Sequence, residues 1–129
     1  MEKRRETKTV LIIEDDAGLR NFAARVLELE GYRVFQAEDG DEGLRLVREN
    51  QVALVLLDLR LPGRDGWSVL SQMKSEPALS AIPVVMFTAS VAASQEKRAR
   101  SMGAVDYLAK PVSAASLKEA AARILHDRR

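Results

Sequence analysis

Apolar residues fall into four short and nearly continuous runs along the chain, at 10–13, 52–57, 84–87 and 107–109. Continuous apolarity over so few residues is typical of parallel strands that are covered on both faces. A fifth run, at 32–37, mixes apolar with polar residues. Its mixed character predicts a strand at the edge of the same sheet.

Helical spacing of apolar residues occupies the segments between these runs. Gly31 ends the first of these helices. Asp39 with Glu42 resembles a capping box at the start of the second. The polar segment 91–101 is predicted to be the fourth helix. Ser113 is a plausible cap of the last helix. The apolar stripes are Leu19, Phe22, Ala23, Val26 and Leu27; Leu44 and Val47; Trp67, Leu70 and Met73; and Leu117, Ala120, Ala121, Ile124 and Leu125. Strand followed by helix, repeated five times, predicts an open parallel α/β sheet with helices on both faces.

The length of 129 residues predicts one domain over 9–126, with a frayed start at 1–8 and a tail at 127–129. There is no cysteine, so disulfides and thiolate metal sites are excluded. Twenty basic residues balance 19 acidic ones, which argues against direct nucleic-acid binding. No apolar run is long enough to insert into a membrane. We expect the basic residues at the two ends to be solubilising: Lys3, Arg4, Arg5, Arg128 and Arg129.

Polar side chains follow the predicted central strands. Glu14 and Asp15 follow the run at 10–13, Asp58 the run at 52–57, Thr88 the run at 84–87 and Lys110 the run at 107–109. Because parallel strands end at one edge of the sheet, we expect these groups to converge there. Clustered carboxylates repel unless a cation sits among them, and oxygen ligands suit Mg²⁺. Such a carboxylate can attack phosphorus, while a lysine and a hydroxyl bind the phosphoryl oxygens.

Four motifs lie at these strand ends: VLIIEDD at 10–16, LDLRLPGRDG at 57–66, VMFTA at 85–89 and GAVDYLAKP at 103–111. Together they make the chain resemble the receiver domain of two-component response regulators. The resemblance implies a flavodoxin-like, doubly wound five-stranded sheet of order 2-1-3-4-5. It further implies a phosphoacceptor signalling switch in the cytoplasm, which assists its own phosphorylation and hydrolysis and is not a turnover enzyme.

The resemblance implies that Asp58 is the phosphoacceptor and that Mg²⁺ is the cofactor. Asp15 would then ligate the metal directly and Glu14 through water, with Asp58 and the backbone carbonyl of Arg60 as further ligands. A long cation at Arg60, two residues past the acceptor, leads us to expect slowed loss of the phosphoryl group.

By the same resemblance Thr88 and Lys110 bind the phosphoryl group, and Tyr107 is a switch aromatic that follows Thr88. The bond between Lys110 and Pro111 is expected to be cis. The implied phosphodonor is a sensor histidine kinase or phosphotransfer protein. The implied output is a downstream protein bound on the face of the fourth helix, fifth strand and fifth helix, which includes 94–101.

Alternatives remain at this point. The chain could be a receiver excised from a hybrid kinase or transcription factor, or a pseudo-receiver scaffold that works without phosphorylation. A haloacid-dehalogenase phosphatase would have a second acid where Arg60 stands. Asp16 reads as a helix cap rather than a ligand, His126 as a surface residue, and Trp67 and Met73 as core. Tyr107 could also be plain core packing.

Overall fold

The computed structural model describes residues 7–89 and 92–126. The strands are β1 (Thr9–Ile13), β2 (Arg33–Ala37), β3 (Leu54–Leu57), β4 (Val84–Thr88) and β5 (Asp106–Ala109). The helices are α1 (Ala17–Leu29), α2 (Gly40–Glu49), α3 (Gly66–Ser75), α4 (Ala93–Ser101) and α5 (Ala114–Leu125). All four strand pairings are parallel, and the order β2-β1-β3-β4-β5 confirms the predicted topology. The expectations for 1–6, for the helix start at Val91 and for the tail at 127–129 lie outside the described residues.

Alternating strand residues build a separate core on each face of the sheet. Leu11 and Ile13 of β1 point into the core formed with α2, α3 and α4. Val10 and Ile12 point into the core formed with α1 and α5. The central strands β1, β3 and β4 are therefore buried on both sides, while β2 at one edge is partly exposed. This explains why the central runs are continuously apolar and the run at 32–37 is mixed.

Four of the five helices begin at a side chain that accepts a backbone N–H. The caps are Asp16 for α1, Asp39 for α2, Asp65 for α3 and Ser113 for α5. α4 instead follows Ala92, whose methyl group cannot accept a hydrogen bond. The capping roles of Asp16 and Ser113 are thus confirmed, since α1 begins directly after Asp16 and α5 directly after Ser113.

Two local expectations need correction. Phe22 is 42% exposed, because the buried face of α1 is centred on Ala23 and Leu27 and Phe22 lies beyond its margin. The capping box at α2 is also incomplete. Asp39 accepts the N–H of Glu42 at 2.8 Å, but the Glu42 carboxylate accepts the N–H of Glu38 instead of that of Asp39.

Gly31 has φ +97°, in the left-handed region that ends helices at glycine, as expected. The peptide bond between Lys110 and Pro111 is cis, which confirms that prediction. None of the helices in the described part of the chain is long and apolar enough to cross a membrane.

Candidate functional site

Three carboxylates meet where β1 and β3 end. One oxygen each from Glu14, Asp15 and Asp58 lies within 4.8 Å of the other two. Glu14 and Asp58 are 1% and 2% exposed, whereas Asp15 faces solvent. The structure thus brings together the acidic residues that the strand ends predicted.

Backbone hydrogen bonds extend the sheet by one residue and set the height of these groups. The N–H of Glu14 donates to the Ala37 carbonyl at 3.0 Å, and the N–H of Asp58 donates to the Ile13 carbonyl at 3.1 Å. Both side chains therefore leave the sheet at its rim, where buried strand gives way to loop. This is the edge at which parallel α/β sheets present ligand-binding groups.

Lys110 joins the two buried carboxylates. Its Nζ lies 2.8 Å from Glu14 Oε1 and donates to Asp58 Oδ2 at 3.0 Å. Burial raises the pKa of Glu14, and the nearby Asp58 charge adds to this, although Lys110 and the Asp16 N–H oppose it. Burial lowers the pKa of Lys110, but both carboxylates outweigh burial and leave it above its usual value. Lys110 is therefore charged at neutral pH and partly balances the acidic cluster.

Thr88, at the end of β4, is fully buried, and its carbonyl accepts the N–H of Lys110 at 2.9 Å. Within 7–89 and 92–126, the Thr88 hydroxyl has no hydrogen-bond partner. A buried hydroxyl without a partner costs free energy, so a ligand that hydrogen-bonds to it would recover that cost. Thr88 also borders the open cavity described next.

The cavity beside the cluster has a volume of about 580 Å³ and is bordered by Asp15, Arg60, Trp67, Thr88 and Gln95 among others. The N–H of Arg60 donates to Asp58 Oδ1 at 3.2 Å, while the Arg60 side chain is exposed. The role of its carbonyl stays a prediction. Trp67 is only partly buried, so its assignment to the core was incomplete.

Arg98 of α4 places its guanidinium carbon 4.0 Å from the centre of the Trp67 ring. The cavity wall on the α3 side is thereby connected to α4. Met73, by contrast, is fully buried in the core as expected.

Tyr107 lies partly buried on β5, and its N–H donates to Asp106 Oδ1 at 2.8 Å. Asp106 in turn receives Arg100 from α4 at 3.2 Å and Arg123 from α5 at 2.6 Å. The switch role of Tyr107 stays a prediction. His126, exposed at the end of α5, lies 3.2 Å from the Tyr32 hydroxyl through its Nε2.

Sequence reasoning missed three basic residues: Arg20 and Arg98, which contact residues of the site, and Arg100, which donates to Asp106 beside Tyr107. Arg20 had a detectable signal, because a cation in the first turns of a helix opposes the helix dipole and needs a specific partner. The partners of Arg98 and Arg100 depend on how α4 lies against α3 and β5, which spacing alone does not reveal.

The donor set fits a divalent cation that prefers oxygen. Three carboxylates face one lysine, so the cluster carries an excess of negative charge. Oxygen-only donors with an open side toward solvent suit Mg²⁺, which retains several waters. The acidic cluster is of the kind that receiver domains use for magnesium.

The sequence profile of the response regulator receiver domain matches residues 10–122. The chain belongs to this family. The receiver domain is 38% identical over 117 residues to the phosphate regulon transcriptional regulatory protein PhoB of Escherichia coli, covering 91% of this chain and 50% of that protein. The chain spans about half the length of the curated relatives it matches.

Solved structures agree. A putative response regulator from Chloroflexus aurantiacus superposes with a TM-score of 0.89 at 31% identity, covering 95% of this chain and all of that one. The chemotaxis protein CheY4 of Vibrio cholerae gives 0.88 at 22% identity, over 93% and 100% of the two chains, and supports the fold. The protein is therefore a two-component signalling receiver with an acidic pocket of Glu14, Asp15 and Asp58, consistent with a phosphoacceptor.

Proposed function

We propose that this receiver takes a phosphoryl group onto Asp58 from the phosphohistidine of a sensor histidine kinase or phosphotransfer protein. The observation that carries the proposal is the buried Asp58 carboxylate, held by Lys110 on one oxygen and by the Arg60 N–H on the other. Glu14 and Asp15 lie beside it. A carboxylate so oriented, next to cation-binding oxygens, is equipped for attack on phosphorus.

In the proposed step an Asp58 oxygen forms a bond to phosphorus while the bond from phosphorus to the donor's ring nitrogen breaks. The electron pair of that bond returns to the nitrogen, and the donor leaves as imidazole after gaining a proton. Bound Mg²⁺ supplies positive charge that offsets repulsion between the acidic cluster and the incoming phosphoryl oxygens.

The chain's own groups complete the site. Asp15 would hold the metal directly and Glu14 through water, together with Asp58 and the carbonyl of Arg60. Lys110 is placed to exchange a carboxylate oxygen for a phosphoryl oxygen, which keeps its charge paired. The Thr88 hydroxyl, which has no hydrogen-bond partner among the described residues, would gain one from a phosphoryl oxygen.

Phosphorylation would then change the surface formed by α4, β5 and α5. Thr88 would move toward the phosphoryl group, and Tyr107 on neighbouring β5 would follow. We propose that a downstream protein reads this face in the cytoplasm. The residues 94–101 present mostly polar side chains there.

A second candidate is a receiver excised from a larger protein. The match to half the length of relatives named as transcriptional regulators supports it. A pseudo-receiver scaffold is disfavoured because the acceptor, acidic pair, hydroxyl and lysine are all present and assembled. A haloacid-dehalogenase phosphatase is disfavoured because Arg60 stands where its second acid belongs.

Intact mass measurement after incubation with Mg²⁺ and acetyl phosphate tests the proposal. Wild type is expected to gain one phosphoryl group, and Asp58→Asn none. Asp39→Asn is the matched control, because asparagine also caps α2 and Asp39 lies outside the cluster. A wild type that gains nothing, or an Asp58→Asn variant that gains as much, would contradict phosphoacceptor function. Repeated turnover of a phosphomonoester would favour the phosphatase.

A further inference from the structure

The Arg20 side chain on α1 contacts the backbone carbonyls of the acidic pair, Glu14 and Asp15. Its Nη1 donates to the Glu14 carbonyl at 2.8 Å and lies 3.4 Å from the Asp15 carbonyl. Its Nε donates to the side-chain oxygen of Gln36 on β2 at 3.2 Å. One half-buried guanidinium thus connects the turn after β1 to the neighbouring strand.

The same turn is fixed at two further points. The N–H of Glu14 donates to the Ala37 carbonyl, and the N–H of Asp16 donates to Glu14 Oε2 at 3.0 Å. Asp16 also caps α1, so the helix that carries Arg20 starts directly at this turn. Of these contacts, the one made by Arg20 is the only one that engages both carbonyls of the pair.

We propose that Arg20 is a positioning residue for divalent-cation binding, an inference that rests on the proposed function. With the two carbonyl oxygens occupied by the guanidinium, the side-chain carboxylates of Glu14 and Asp15 are the donors left to face the ion. Groups that orient metal ligands change metal affinity without touching the metal. The planar fork matters here, because a lysine ammonium cannot span the same acceptors in one geometry.

The sign of the effect separates positioning from simple charge. If Arg20 acted through its positive charge alone, removing it would strengthen Mg²⁺ binding, because a cation near the carboxylates repels another. If it acts by holding the turn, removing it weakens Mg²⁺ binding. Arg20→Gln removes both charge and fork, whereas Arg20→Lys removes only the fork.

Calorimetric titration with Mg²⁺ alone is the first measurement. Arg20→Gln and Arg20→Lys are both expected to weaken binding about tenfold, with Arg25→Gln, exposed on the same helix, equal to wild type. The second measurement needs no metal: amide exchange of Asp16 is expected to accelerate in both variants, because its N–H bonds to Glu14. Urea unfolding with chelator present reports whether a variant has merely lost stability.

Gln36→Ala sharpens the test because it removes the other anchor of Arg20. We expect it to weaken Mg²⁺ binding less than Arg20→Gln does, and the double variant to be no weaker than Arg20→Gln alone. Unchanged or stronger binding in Arg20→Gln, or full recovery in Arg20→Lys, would overturn the positioning role while leaving the proposed function intact. A wild type that binds no Mg²⁺ would overturn both.

Discussion

The two sides of the candidate site are built differently. On the acidic side, the turn that carries Glu14 and Asp15 is tied by Arg20 and runs into a helix capped by Asp16. On the α4 side, the helix follows Ala92 and buries one residue completely, Ala99. Hydrogen bonds between side chains and backbone hold the acidic side, whereas ion pairs made by the exposed Arg100 side chain hold the α4 side.

This difference suits a switch. Ligands for an ion need fixed positions, because small displacements weaken coordination. An element with few buried contacts shifts at low free-energy cost, because little apolar surface must be exposed. Thr88, whose hydroxyl is buried without a partner among the described residues, lies between the two sides. Under the proposed function, Thr88 would link phosphorylation on the acidic side to a change on the α4 side.

The largest expected effect comes from adding a side chain at Gly66, which packs against the backbone of Asp58 on the acidic side. A Cβ added at Gly66 would lie 2.3 Å from the Asp58 carbonyl oxygen and 2.6 Å from Leu59 Cα. Because backbone must move, we expect Gly66→Ala to lower the free energy of unfolding by about 3 kcal/mol in urea denaturation. At Gly18 the added Cβ meets only ordinary contact, so Gly18→Ala is the control. Wild-type stability in Gly66→Ala would contradict the close packing beneath the acceptor.

Helix caps compare the two sides directly. Asp16 accepts the N–H groups of Gly18 and Leu19, so Asp16→Ala is expected to cost about 1 kcal/mol of unfolding free energy. Ala92→Asp adds a cap to α4 and is expected to stabilise by up to about 1 kcal/mol. Both are measured by urea unfolding with chelator present. A stabilising Asp16→Ala or a destabilising Ala92→Asp would contradict the difference in capping between α1 and α4.

The charged contacts of the α4 side predict a pH dependence. Burial alone would raise the pKa of Asp106, but Arg123, the Tyr107 N–H and Arg100 outweigh it and lower the pKa. An acid with a lowered folded pKa contributes stability above its unfolded pKa, and that contribution is lost as pH falls through the folded value. Asp106→Asn is therefore expected to cost about 1 kcal/mol at pH 7 and nearly nothing well below pH 3.8.

Urea unfolding of both proteins across this range checks the expectation. Asp41→Asn is the control, because the Asp41 side chain is 78% exposed in its pair with Arg64. Exposed pairs contribute little. A constant difference between wild type and Asp106→Asn at every pH would rule out the assigned role of the Asp106 charge.

The smallest expected effect concerns Arg60, which borders the cavity beside the acidic cluster. Arg60 borders the cavity with an exposed side chain, where a long cation can shield the phosphoryl group from water. Given phosphorylation of Asp58, Arg60→Asn is expected to speed phosphate loss about two- to fivefold, or at most about 1 kcal/mol. Arg45→Asn, far along α2, serves as control. Equal rates of phosphate loss for Arg60→Asn and wild type would end this hypothesis.

The sheet and most of its site were predictable because two strong constraints act locally. A strand covered on both faces must be apolar at every position, which marks β1, β3 and β4 in the chain. The residue that follows each apolar run lies at the common edge, which placed Glu14, Asp58 and Thr88 at the same rim of the sheet. Phe22 was misplaced because an apolar residue at the margin of a helical stripe can face solvent with little penalty.

The sequence by itself determined the order of elements, the buried strands and the residue types at the strand ends. Tertiary structure alone decided that Lys110 contacts both Glu14 and Asp58, that Arg20 holds the turn from behind, and that Arg98 covers Trp67. Burial is encoded by residue type and spacing, so it can be read along the chain. The choice of partner for a long polar side chain depends on how distant elements pack to within a fraction of an ångström.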